Sequence, residues 1–253
     1  MNNLFKAFLL SIISFFIGYY IFGYTNFVSV KTINISGCIR LKSNYLIKRS
    51  GITKDDNMIF INLRKSKEQL LKEPYIKDVE LKQKLLNTID IKIEERTPIA
   101  AVPYMGSYII IDEEGVALNV EDDFTELDKP IITGIVLEDM SLGHKIKIKK
   151  DENFFYKLIS LLNVLKNTKL LESISEIKLD ANDEFILYTI YNMKIYIGNC
   201  TSIDYKIRFI QKILVDLYSK GIKSGEIDFS YEGNPVYRAY NKKLGSEVLE
   251  EKK

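Results

Sequence analysis

Ile89-Asp90-Ile91-Lys92-Ile93-Glu94-Glu95-Arg96-Thr97-Pro98-Ile99-Ala100 decides how this chain is read. Ile89, Ile91 and Ile93 fall on one side, and Asp90, Lys92 and Glu94 on the other. That period of two marks a strand with one buried face. Immediately upstream, Tyr75–Lys84 is a second β-patterned run, joined to Thr88–Glu94 by a brief Leu85-Leu86-Asn87 turn. Before it stand two short amphipathic segments, Ser43–Ser50 ahead of Gly51 and Asn62–Lys72 ahead of Glu73-Pro74. A β-branched run, Val28 to Ile35, is closed by Gly37. The order is β-α-α-β-β, with helices expected on one face of a small sheet. Ser43 is placed to cap the first helix and Gly51 to end it in a left-handed conformation. Leu70 and Leu71 are expected on the buried face of the second helix, which Glu73-Pro74 ends. Every element is short, so stability must come from helix-on-sheet packing.

Ala7 to Tyr24 carries no charge and is rich in Phe, Leu, Ile and Tyr. As a helix it spans about 27 Å, close to the thickness of a bilayer's hydrocarbon layer. Tyr19, Tyr20 and Tyr24 gather where an interfacial aromatic belt sits. An uncleaved signal anchor is the favoured reading and a cleaved signal peptide the competing one; the run is long for an h-region and no A-x-A site follows. Charge counting does not orient the anchor. Lys6 precedes it, Lys31, Arg40 and Lys42 follow, and long domains translocate largely regardless of such charges.

At 253 residues, 46% apolar and 28% charged, the chain has the composition of a globular protein of one large or two modest domains. A net charge of +2, with basic residues spread among acidic ones, gives no reason to expect nucleic acid. Cys38 and Cys200 form no spaced metal or redox motif; they are read as free thiols, with one disulfide left open. The single His144 lies in a Gly-His-Lys loop and makes no nucleophile–base pair with Cys200. No catalytic residue, metal ligand or cofactor is assigned.

From Ile99 onward the pattern is a larger, mostly-β region. Strands are expected at Ile99–Met105, Tyr108–Asp112, Val116–Val120, Pro130–Leu137, Ser173–Leu179, Phe185–Tyr191, Lys194–Ile197 and Glu226–Tyr231. Two helices interrupt them. One is capped by Asp151 and runs to about Thr168, with Phe154, Phe155, Leu158, Leu161, Leu162 and Leu165 at helical spacing. The other, Ser202–Ser219, carries Ile203, Ile207, Ile210, Leu214 and Leu217. Lys145, Lys147 and Lys149 alternate with Ile146 and Ile148, a wet or edge-protecting face or a contact for lipid head groups or wall polymer. The expected organisation is α+β: residues 1–6 a cytoplasmic tail, 7–26 the transmembrane anchor, 27–97 the small β-α-α-β-β domain, 98–238 the β domain and 239–253 a mobile charged tail.

Three motifs carry a resemblance. The V-x-x-I-x-I-x-G opening (Val30, Ile33, Ile35, Gly37), the N-M-I-F-I-N-L segment (Asn57–Leu63) and the E-R-x-P-x-A exit (Glu95–Ala100) fall in order behind an anchor. Together they resemble the FtsQ-type POTRA domain of the FtsQ/DivIB family of bacterial cell-division proteins. Asp112–Gly115, and Gly198 with Tyr205-Lys206, are similar to that family further on; Cys38 departs from it, Asn being commoner there. The resemblance implies a non-catalytic, single-pass type II membrane protein at the septum, with its bulk outside the cell membrane. It implies partners among FtsL and FtsB/DivIC-type bitopic proteins, beside septal wall-synthesis enzymes. It also implies that the last β-domain strand takes up a partner segment by β-augmentation. That strand aligns with Glu226, Ile227, Asp228, Phe229, Ser230 and Tyr231. Ile227, Phe229 and Tyr231 would share one face; the bland alternative is a strand with both edges already paired. Two other classes compete: a POTRA-type substrate-binding chaperone of a membrane insertion or secretion system, and a wall-modifying enzyme with an unrecognised site.

Overall fold

The computed structural model describes residues 2–24, 28–84, 87–123, 128–198, 202–231 and 235–240. Cys200, the Leu85-Leu86 turn and the tail from 241 lie outside them. The chain divides into two compact units, Met1–Arg96 and Thr97–Lys253.

The first unit contains α1 (Asn2–Tyr24), β1 (Thr32–Ser36), α2 (Ser43–Ser50), α3 (Leu63–Leu70), β2 (Ile76–Lys84) and β3 (Thr88–Glu95). β3 is the middle strand, parallel to β1 and antiparallel to β2. Ile89, Ile91 and Ile93 are buried, as their alternation requires, and form a core with Leu46 of α2, Leu70 of α3 and Val79 of β2. Gly37 follows β1 at φ +83°, where a Cβ would lie 2.0 Å from the Ile93 carbonyl oxygen. Only glycine fits that crossing of the two backbones.

Three local expectations are corrected. The residue capping α2 is Lys42, with no side-chain cap bond, and Ser43 is the first helical residue. The entry to α2 is held instead by Glu95, whose carboxylate accepts from the N–H groups of Arg40 (2.9 Å) and Leu41 (3.0 Å). Leu71 is 40% exposed, because α3 stops at Leu70 before the turn to β2. Val28–Val30 do not extend β1; their peptide groups bond to the loop before α3, through Val30 N–H to Asp56 O and Met58 N–H to Val28 O.

The helix α1 carries no charged residue after Lys6. Among the described residues no helix is long and apolar enough to cross a membrane.

The second unit is built on a nine-stranded sheet. Its strands are β4 (Pro98–Tyr104), β5 (Ser107–Asp112), β6 (Ala117–Glu121), β7 (Ile131–Thr133), β10 (Ile174–Leu179), β11 (Phe185–Thr189), β12 (Met193–Gly198), β13 (Gly225–Asp228) and β14 (Val236–Arg238). They lie in the order β14-β13-β12-β11-β10-β7-β4-β5-β6. β8 (Leu137–Asp139) and β9 (Lys147–Ile148) form a separate pair. The expected single strand Pro130–Leu137 thus divides between two sheets around Gly134. Lys145, Lys147 and Lys149 are exposed while Ile146 and Ile148 are buried, although only Lys147–Ile148 is regular strand.

Two helices complete the unit, α4 (Glu152–Asn167) and α5 (Ile203–Ser219). Asp151 caps α4 by accepting from Phe154 N–H at 2.7 Å. The buried stripes, Phe154, Leu158, Leu161, Leu162 and Leu165 on α4 and Ile207, Ile210, Leu214 and Leu217 on α5, join the inward residues of the sheet in one core.

Three carboxylates of the small sheet are held below the ordinary range by neighbouring cations. Lys67 acts on Asp78, Lys82 on Glu80, and Lys84 followed by Asn34 on Asp90. A carboxylate whose pKa is depressed on folding contributes stability above its unfolded pKa and loses it as pH falls through the folded one. Urea midpoints of the full chain should therefore stay level from neutral pH to about 4.5 and then decline. The decline should be shallow, because all three carboxylates are solvent-exposed.

Candidate functional site

α5 connects β12 to β13, which run parallel, as a helix laid across the sheet permits. The described residues of the predicted site lie on and just after β13. Glu226, Ile227 and Asp228 are in the strand, and Phe229 continues its ladder by donating its N–H to Tyr196 O at 2.8 Å. Ser230 turns away, its N–H and hydroxyl both donating to the Asp228 carboxylate. Tyr231 is 80% exposed and shares no face with the buried Ile227 and Phe229.

β13 is not an edge. β12 lies on one side of it and β14 on the other, so the assignment of Glu226–Tyr231 as an open augmentation edge is corrected. Peptide direction alternates along a strand. Since Phe229 and Ile227 face β12, Glu226 and Asp228 face β14 and are bonded there opposite Arg238 and Val236. Tyr237 is then the residue of β14 whose N–H and C=O point outward, to an edge with no further strand among the described residues.

Beneath that edge runs a groove of about 450 Å³. Phe209, Ile213 and Leu217 of α5 form one wall, Pro235 and Tyr237 the other, and Lys212 and Asp216 the rim. The Tyr237 hydroxyl donates to Ser224 O at 3.0 Å, anchoring β14 to the turn before β13. Phe229 packs edge-on against Phe209, with ring centroids 5.9 Å apart. On the opposite face Lys194 lies over the Tyr196 ring at 4.4 Å. The Tyr196 phenol raises the Lys194 pKa above the usual lysine range, and burial followed by the Glu226 charge pushes Tyr240 up.

β14 escaped the sequence reading because three residues carry too little period. The signal present was Val236-Tyr237-Arg238, a β-favouring triplet directly after Asn234-Pro235. Among the described residues no cluster of three His, Cys, Asp or Glu side chains is placed to hold a metal. His144 is exposed, its Nδ1 3.2 Å from Leu142 O.

Comparison with known proteins adds the following. Residues 28–96 match the family model for the FtsQ-type POTRA domain, and residues 100–230 match that for the FtsQ/DivIB cell-division protein C-terminal region. The chain is 28% identical over 218 residues to the cell division protein DivIB of Clostridium acetobutylicum, covering 83% of each. It is 30% identical over 215 residues to that of Clostridium tetani, covering 83% of this chain and 79% of the relative. To the cell division protein FtsQ of Geotalea daltonii it is 32% identical over 174 residues, covering 68% and 61%.

One glycine controls whether β14 can lie where it does. Gly225 sits at φ +147°, and a Cβ there would meet Arg238 O at 2.7 Å and the Tyr237 ring at 2.6 Å. Gly225→Ala should push β14 off β13 and cost about 1–3 kcal/mol. Urea unfolding measures the loss, and hydrogen exchange should show protection falling at Val236 and Arg238 before it falls at Ile195.

Proposed function

The chain belongs to the FtsQ/DivIB family of cell-division proteins, and on that premise we propose that it is a membrane-anchored, non-catalytic adaptor of the division machinery. It works by capturing an extended segment of a partner on the β14 edge. The observation that carries this reading is the outward-facing peptide of Tyr237 above an apolar groove. An added strand would bond to Tyr237 and place alternate side chains in the groove between α5 and β14. The partners implied are FtsL and FtsB/DivIC-type bitopic proteins, acting beside wall-synthesis enzymes at the septum. The anchor is residues 7–26, of which 7–24 are uncharged. The two units then lie outside the cell membrane.

Tyr237→Pro removes the outward donor together with the hydroxyl bond to Ser224 O, while the inward bonds of Val236 and Arg238 to β13 remain available; Tyr237→Phe, which loses only the hydroxyl bond, is the control. Binding of the full chain to a purified FtsB/DivIC-type partner should weaken by up to about tenfold from that hydrogen bond. Ile213→Glu, in the groove wall, should weaken it further, while Val215→Glu, on the 65% exposed side of α5, should not. Unchanged binding by folded Tyr237→Pro and Ile213→Glu chains would overturn the reading.

Topology is tested at Ile39, which is 96% exposed. In a Cys38→Ser, Cys200→Ser background, Ile39→Cys should react with a membrane-impermeant thiol reagent in intact cells. Reaction only after lysis would place the units on the wrong side of the membrane for this role.

A further inference from the structure

Among the described residues the small sheet of the first unit also ends in an open edge, at β2. Thr32 N–H donates to Asn87 O at 3.1 Å, so Asn87, Ile89, Ile91 and Ile93 turn their peptides toward β1. Residues 88, 90, 92 and 94 therefore face β2, and the bond from Arg96 N–H to Tyr75 O agrees with that parity. Their partners Lys84, Lys82, Glu80 and Asp78 are satisfied. Val79, Leu81 and Gln83 are left with N–H and C=O groups directed outward.

The side chains along this strand are sorted by sign. Asp78 and Glu80 occupy the first half of the wet face and Lys82 and Lys84 the second. We infer that this edge of β2 pairs with the same edge of a second copy of the chain, antiparallel and centred on Leu81. In that register Asp78 faces Lys84 of the other copy and Glu80 faces Lys82, giving four opposite-charge contacts in the closely spaced, non-hydrogen-bonded pairs. Leu81 meets Leu81, and Val79 meets Gln83, in the hydrogen-bonded pairs, where both peptides already point outward.

Alternative symmetric registers fail on charge. Centring on Glu80 or Lys82 sets like charges directly opposite. Centring on Val79 sets Asp78 against Glu80, and centring on Gln83 sets Lys82 against Lys84. A strand whose charges merely guard an edge has no need of this segregation.

The edge is also accessible. A groove of about 560 Å³ runs along it, walled by Leu63 and Lys67 of α3 and by Val79, Leu81 and Ile93. The second copy's Leu81 would enter its apolar part. Within one chain Lys82 pairs with Glu80, Lys84 with Asp90 and Lys67 with Asp78, all at exposed positions where such pairs hold little energy and can be shared across an interface. The pairing is isologous and closes at two copies.

The test uses the full chain in detergent or nanodiscs, in a Cys38→Ser, Cys200→Ser background. Leu81→Cys should form an intermolecular disulfide, since opposed Cα atoms of a hydrogen-bonded pair lie about 5.5 Å apart. Gln83→Cys should not, because each such residue faces Val79 and its equivalent lies about 13 Å away along the strand. Without added cysteines, a Lys82→Glu, Lys84→Glu chain and an Asp78→Lys, Glu80→Lys chain should each self-associate at least about tenfold more weakly. Mixed together they should form a heterodimer in sedimentation, because all four opposite-sign contacts return. Tyr237→Pro should leave all of this unchanged, which separates the inference from the partner-capture reading. Equal cross-linking at both cysteine positions, or wild-type self-association by either charge-reversed chain, would overturn it.

Discussion

The bond from Phe229 N–H to Tyr196 O is one hydrogen bond among many, yet it fixes the parity of the whole C-terminal side of the larger sheet. Once Phe229 faces β12, alternation leaves no choice: Glu226 and Asp228 face β14, and Tyr237 faces out. The parity is locked by packing. Ile227 is fully buried and Phe229 nearly so, set against Phe209. A one-residue slip would carry both to the wet face and bring Glu226 and Asp228 into the core. Burying even one of those carboxylates unpaired costs more than a strand of four residues can supply. The open edge is therefore a consequence of apolar burial in the neighbouring strand.

The groove follows from a mismatch between helix and sheet. α5 buries Ile207, Ile210, Leu214 and Leu217, but Phe209 and Ile213 belong to the same apolar arc and are only partly covered. A strand longer than β14 would cover them. Among the described residues the sheet ends at the three residues of β14, and the remaining apolar arc lies beside an outward-facing backbone. Short edge strands are one way proteins limit unwanted pairing, because few ladder bonds are on offer.

The small sheet was readable because its core depends on one strand with strict alternation; Ile89, Ile91 and Ile93 could be assigned inward with no knowledge of their partners. The long helices of the larger unit were readable for a similar reason, each carrying several turns of apolar stripe and, in α4, an aspartate cap. What failed was decided by contacts distant in sequence. Leu71 looks as apolar as Leu70, but the helix ends between them. Ser43 has the chemistry of a cap, but Glu95 holds the entry to that helix from the far end of the unit. Glu226–Tyr231 has the composition of an edge or of an interior strand alike. The difference is a three-residue neighbour lying beyond Asn234-Pro235. Order along the chain was legible, and order across the sheet was not.

The two open edges ask for different partners. At β2 the backbone offers three outward residues in a nine-residue strand and a charge pattern that complements itself, so an identical strand suffices. At β14 the backbone offers a single outward residue, Tyr237. Its N–H and C=O offer two hydrogen bonds of about 0.5–1.5 kcal/mol net each, too little to repay the loss of rotational freedom when two proteins associate. Affinity at β14 must therefore come from side chains that fill the space between Phe209, Ile213, Leu217 and Pro235. A partner suited to it carries apolar residues at every second position and meets Lys212 and Asp216 at the rim with groups of opposite sign. The ladder bond sets the register of such a segment, and the groove sets its sequence.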